Sequence, residues 1–291
     1  MGNPSLQELI DALNSSNHDQ QQSAAIELVE YEGEVLPLLL EALYNAGPGA
    51  ALAAWALGTR GDAKAVPGLA AAFPDVAPDV QVAIAKALGE LNANDDETVR
   101  LLVRAASNSR GELRLACLTA LGWLGNSSAV EPLLSLLDDP DSETRIATSE
   151  TLAKLGDRRA VPPLINHLDD VNVWVRQRAA HALGKLRAQE AFAALVQALQ
   201  DENEWIRQAA ALALGELGNC EAVPLLIKHL QDESHLMRRV TVMALSMLGN
   251  DEAIQALVSA LADPSDDVVE AADAALARLG YSVNDETSDA D

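Results

Sequence analysis

Aromatic residues make up 3% of this 291-residue chain, cysteine occurs twice, and 20 Lys and Arg stand against 44 Asp and Glu. Two cysteines cannot build a disulfide framework, and no run of about 18 uncharged apolar residues is present to span a bilayer. The start, MGNPSLQELIDALNSS, has neither a basic n-region nor an unbroken apolar h-region, so a cytoplasmic address is expected. A formal charge of -24 opposes binding to nucleic acid, where Lys and Arg must neutralise phosphates. The 49% hydrophobic content is too high for a disordered chain and sufficient for a buried core.

What the chain does have is repetition. The motif Ala-Leu-Gly, or a close variant, recurs with anchor leucines Leu57, Leu88, Leu121, Leu152, Leu183, Leu214, Leu245 and Leu276, and a weaker copy surrounds Leu28. Six of the seven spacings are 31 residues and one is 33. Within a unit such as AVPPLINHLDDVNVWVRQRAAHALGKL, two apolar runs at helical spacing flank a short polar break, which predicts helix A, turn, helix B. Pro67, Pro162 and Pro224 share one offset at the start of helix A, where a missing N–H costs little. The breaks DDVN, DENE, DESH and DPSD supply Asp, Asn and Ser acceptors for the N–H groups that open helix B. Small pairs such as Ala179-Ala180 and Ala209-Ala210 allow neighbouring helices to approach closely. A single pair cannot bury its apolar face alone, so about nine pairs are expected to stack with nearest-neighbour contacts. With packed helix axes about 8–10 Å apart, the stack would extend on the order of 80–90 Å.

Units such as DENEWIRQAAALALGELGNCEAVPLLIKHLQD resemble HEAT repeats of the short type named after phycobilisome lyase subunits, over roughly residues 20–280. The resemblance implies an all-α fold, a right-handed α-α superhelix. The expected organisation is a single solenoid over residues 1–281, with a weaker N-terminal repeat at about 5–45, followed by an acidic disordered tail at 282–291. Fold resemblance does not carry activity with it.

Two charged rows keep the repeat. Asp139, Asp170, Asp201, Asp232 and Asp263 recur every 31 residues, as do Arg114, Arg145, Arg176, Arg207 and Arg238. A catalytic site is used once, whereas this pair returns in successive layers. A structural ladder is therefore expected, each Arg reaching the Asp of its own or the next repeat with bidentate geometry. Val269 stands where the next Arg is due and marks the end of the ladder.

The functional surface is sought among positions that vary. Counting helix B from its anchor leucine as zero, positions -9, -6, -5, -2 and +2 fall between about 120° and 220° at 100° per residue, one stripe opposite the leucine. In the central units the stripe holds Trp174, Gln177, Arg178, His181 and Lys185, then Trp205, Gln208 and Glu216, then Leu236, Arg239, Met243 and Met247. Trp55 at -2 and Trp123 at +2 complete the four tryptophans of the chain. The family resemblance implies that this face lines the concave side. Tryptophan is favoured at binding hot spots and Met supplies adaptable apolar surface, so a contact groove is expected. The bland alternative is that each indole lies across a junction between repeats. Eleven of the 20 basic residues fall between Lys154 and Arg239. With Arg178, Lys185 and Arg239 on the stripe, an acidic or carboxylate-bearing protein segment is the expected partner, unless these cations only offset neighbouring carboxylates.

Other chemistry was sought in the same residues. The five histidines, His18, His167, His181, His229 and His235, show no metal-ligand spacing, and no cofactor is expected. HEAT-repeat hydroxylases hold di-iron with His-Glu dipeptides, and this sequence has none. His167 and His229 sit near the end of helix A, where a cation suits the helix C-terminus. His181 faces the stripe and could bind or protonate a ligand. Cys117 takes the place of a small residue in helix B and is expected to be buried and inert, while Cys220 lies in a turn without a partner His nearby.

The leading expectation is a non-enzymatic scaffold that clasps a protein segment through Trp174, Trp205, Arg178, His181 and Arg239. The alternative, implied only by resemblance, is a phycobilin lyase subunit or a related factor handling tetrapyrrole chromophores on antenna proteins.

Overall fold

The computed structural model describes residues 4–281, in which every regular element is a helix. The tail expected at 282–291 lies outside the described residues. The chain divides between Leu155 and Gly156 into two compact units, each a stack of helix pairs. The first unit contains α1 (Leu6–Leu13) with α2 (His18–Glu30), α3 (Leu36–Tyr44) with α4 (Ala50–Arg60), α5 (Val66–Ala72) with α6 (Pro78–Glu90), α7 (Asp96–Asn108) with α8 (Gly111–Leu124), and α9 (Val130–Leu134) with α10 (Ser142–Leu155). The second contains α11 (Val161–Asn166) with α12 (Val173–Lys185), α13 (Phe192–Ala198) with α14 (Glu204–Leu217), α15 (Val223–Lys228) with α16 (His235–Leu248), and α17 (Asp251–Ala260) with α18 (Asp266–Arg278). Nine pairs are thus present among the described residues, and Leu28 lies in α2, the B helix of the first.

Local chemistry starts and stops these helices. Pro67, Pro162 and Pro224 occupy the first turn of α5, α11 and α15, where no intrahelical N–H bond is due. Asn172 and Asn203 accept the backbone N–H of Trp174 and Trp205 at 2.9 and 3.0 Å and so open α12 and α14. Helix A is short in α5, α9, α11 and α15 because 3-10 turns flank its α-helical centre, as at Cys220–Ala222 and His229–Gln231 around α15. In the repeat with 33-residue spacing, α7 is instead a continuous helix of 13 residues. α14 ends on Gly218 at φ 73°, a left-handed turn that costs glycine little, whereas α12 is followed by Arg187 holding φ 48°.

The anchor leucines form the core: Leu88, Leu121, Leu152, Leu183, Leu214 and Leu245 have no exposed surface. Each such side chain contributes roughly 1.5–3 kcal/mol on burial. The glycine after the anchor sets how closely B helices approach. A Cβ at Gly215 would lie 2.9 Å from both Cα and O of Ala244, so α14 and α16 meet at backbone contact. A Cβ at Gly122 would be 3.1 Å from Cδ of Lys154 and 3.6 Å from Cα of Thr151, a looser contact between α8 and α10. Cys117 is fully buried between such helices, and burial pushes its thiol up to about 12.

Candidate partner-binding face of the B helices

The repeated Arg and Asp are bonded in a regular scheme. Arg176 donates Nη1 to the carbonyl of Asp170 at 2.8 Å and Nε and Nη2 to the carboxylate of Asp201 at 3.1 and 3.5 Å. Arg238 donates to the carbonyls of Asp232 and Glu233 at 2.8 and 3.2 Å and to both carboxylate oxygens of Asp263 at 2.7 and 2.9 Å. In the first unit Arg114 meets Asp139 at 2.5 Å, and Arg145 donates to the carbonyls of Asp139 and Pro140 at 2.9 and 3.2 Å. Arg207 donates to the carbonyls of Asp201 and Glu202 at 3.0 and 3.1 Å, while the carboxylate of Asp232 lies 4.0 Å from Nδ1 of His229. Each Asp also holds its own turn: Oδ1 of Asp170, Asp201 and Asp232 accepts the N–H two residues on at 2.8, 2.8 and 2.9 Å. One carboxylate therefore fixes the turn that opens helix B, and Asp139, Asp201 and Asp263 also receive a guanidinium from the layer before. The guanidinium of Arg238 holds the carboxyl of Asp263 below its ordinary value.

On the stripe of the second unit, Trp174 and Trp205 stack across the junction between α12 and α14, with ring centroids 4.8 Å apart and planes inclined by 28°. They nevertheless remain 44% and 48% exposed. Both parts of the sequence reading meet here, since the indoles bridge a junction and still present a face to solvent. Leu236, Met243 and Met247 on α16 are exposed beside this row in the repeat. His181, Lys185 and Arg239 are exposed, and Gln177, Arg178 and Gln208 half-buried. Gln208 donates to Glu204 at 2.8 Å, and Ser234 donates to the same oxygen, so Gln208 is held rather than loose.

Charge on the stripe is more balanced than the count of cations suggests. Lys185 pairs with Glu216 at 2.7 Å, from position +2 of one repeat to +2 of the next. Arg239 makes no ion pair among the described residues and is the exposed cation of α16. The reading of His229 as a cation at the end of helix A is corrected: burial pushes its pKa down, against the opposing pull of Asp232, so the ring is held towards the neutral form.

In the first unit Trp55 is 38% exposed, and Trp123 is 48% exposed with its ring lying over Gly89 of the preceding B helix. They precede Trp174 by 119 and 51 residues and are described with their own unit. Sequence reasoning missed Val171, which is 95% exposed in the turn before α12 beside an open groove of about 600 Å³ lined also by Asn172, Val173, Arg176, Glu202 and Asn203. Its signal was available: the matching position holds Glu202 and Glu233 in the next two repeats. Among the described residues no group of three or more His, Cys, Asp or Glu is placed to hold a metal ion, and no helix is long and apolar enough to cross a membrane.

The sequence matches no curated protein. Solved structures resemble the fold. An engineered protein superposes with a TM-score of 0.54 at 19% identity over 94% of this chain and 88% of the other. A chain in the structure of Kap95p bound to RanGDP gives 0.66 at 14% identity over 94% of this chain, which spans 44% of that longer one. At such identities the likeness concerns fold alone. The profile of the HEAT repeats matches in five overlapping stretches, residues 69–153, 99–184, 130–211, 161–239 and 192–277.

Proposed function

The chain belongs to the HEAT-repeat family, and from that premise we propose that it is a non-enzymatic, cytoplasmic protein–protein interaction scaffold whose B-helix stripe in the second unit binds a protein segment. The observation that carries the reading is the Trp174–Trp205 stack, two large rings held in place by each other yet about half exposed. A pre-ordered aromatic pair loses little freedom on contact, which is why such residues dominate binding energy. Leu236, Met243 and Met247 extend the apolar surface, while Arg239, His181 and Arg178 supply donors for carboxylates on the segment. Pairs six to eight carry Arg178, Lys185 and Arg239 against Glu216 on the stripe, a local excess of two positive charges on an acidic body. That sign favours an acidic segment. The two free cysteines, one buried and one exposed, are in keeping with a reducing compartment.

The test is a Trp174→Ala/Trp205→Ala variant of the full chain. Losing the stack should cost about 1 kcal/mol of stability, while capture of specific partners from native lysate should disappear. Capture that survives the double substitution would assign the rings to packing. A free bilin added with an apo-antenna subunit serves as the second arm: an absorbance shift or covalent colour would favour the chromophore-handling alternative.

A further inference from the structure

The stripe of the first unit differs in kind from that of the second. At positions -6 and -5, the edges of the stripe nearest the adjacent helices, α4, α6, α8 and α10 carry Ala51-Leu52, Val82-Ala83, Leu115-Ala116 and Ile146-Ala147, with no polar residue among them. Leu52, Leu115 and Ile146 are half-buried, so apolar side chains along these B helices are still open to solvent. Half-exposed Trp55 and Trp123 lie on the same stripe. At -9, successive B helices present Asp79, Glu112 and Glu143, all exposed. Asp79, Glu143 and the exposed Glu90 at +2 make no ion pair among the described residues. Glu112 meets only Lys86 at 3.4 Å, with both side chains more than half exposed, a weak and replaceable pair. Across α4, α6, α8 and α10, counting Asp79, Glu90, Glu112, Glu143 and Glu150 against Lys86 and Lys154, the stripe carries a net charge of -3.

We propose that this face is a second docking surface, for an amphipathic helix whose apolar side covers Leu52, Leu115 and Ile146 and whose Lys or Arg residues meet the Asp79–Glu112–Glu143 row. The spacing selects such an occupant. Packed B helices lie about 8–10 Å apart, and a helix laid across them presents one side chain every seven residues at about 10.5 Å. Cations at seven-residue spacing therefore meet the three carboxylates in turn, with apolar residues between them over the half-buried aliphatic side chains. Opposite sign gives this surface a partner different from that of the second unit.

The probe is an 18-residue model helix of Leu and Lys with cations in that register, and its counterpart with Glu for Lys, titrated into the full chain by calorimetry. Three variants accompany the native protein. Asp79→Lys/Glu143→Lys reverses the exposed row. Glu221→Lys/Glu252→Lys makes the same change in net charge on exposed helix-A positions of the second unit. Trp174→Ala/Trp205→Ala removes the other site. The Lys helix should bind the native chain, the helix-A control and the tryptophan variant alike, and bind the row-reversed variant at least about tenfold more weakly, with the Glu helix not binding the native chain. Equal weakening by both charge reversals would reduce the effect to diffuse attraction and overturn the proposal, as would absence of binding to the native chain or tighter binding of the Glu helix.

Discussion

The two units are built from one backbone plan and differ where the plan leaves freedom. Buried anchor leucines and helix–turn–helix pairs recur in both. At -6 and -5, however, α4, α6, α8 and α10 of the first unit have aliphatic residues, whereas α12, α14 and α16 carry Gln177-Arg178, Gln208-Ala209 and Arg239-Val240. At -9, α6, α8 and α10 have carboxylates where α12, α14 and α16 have Trp174, Trp205 and Leu236. Packing fixes one side of each B helix and leaves the other to chemistry, so one repeat presents surfaces of opposite sign. In such a repeat fold stability comes from the side that recurs in each repeat, and the side facing water is free to vary.

The comparison is broken most strongly at the ladder. Arg238→Ala removes both bonds to Asp263, whose side chain is 8% exposed, together with the donors to two carbonyls. It should cost about 3 kcal/mol in urea denaturation, because a largely buried carboxylate is left without its cation. Arg114→Ala in the first unit should cost less, about 2 kcal/mol, since Arg114 meets Asp139 through Nη1 and its Nε lies buried without a partner. Equal losses would mean that the rungs of the two units are equivalent.

The glycines after the anchors give a difference in sign. Gly215→Ala drives a methyl into the backbone of Ala244 and should destabilise by about 2 kcal/mol. Gly122→Ala meets chiefly the flexible end of Lys154, and the better helix propensity of alanine should leave it neutral or up to about 1 kcal/mol more stable. Thermal unfolding of the two variants side by side measures the closeness of helix approach at the α14–α16 and α8–α10 junctions.

The smallest effect is with pH. Arg238 lowers the carboxyl of Asp263 below its ordinary 3.8 in the folded state only. The stabilisation is therefore complete above 3.8 and is lost as pH falls through the lower folded value. The stability gap between the native chain and Asp263→Asn should be constant from pH 8 to 5 and narrow in more acid solution. A gap that widens on acidification would contradict the assignment of the shift to this pair.

Much of this was legible beforehand, and the exceptions are instructive. The Pro positions, the Asn caps and the buried Leu and Cys117 follow from local pattern, because caps and helical periodicity are properties of a few adjacent residues. The stripe was also legible, since angle around a helix follows from residue number. Its electrostatics were not. Lys185 reads as a free cation until Glu216 is found 2.7 Å away, and His229 reads as a helix-terminal cation until its burial is known.

By itself the sequence determined the nine helix pairs, the leucine core and which side chains share a face, because each depends on spacings within one repeat. Only the tertiary structure decided that Trp174 and Trp205 stack, that Arg238 receives Asp263 rather than a carboxylate of its own repeat, and that burial holds His229 neutral. Those outcomes depend on distances between residues a full repeat apart and on how much water is left around them. Such quantities arise when layers pack against one another and have no counterpart in the order of residues along the chain.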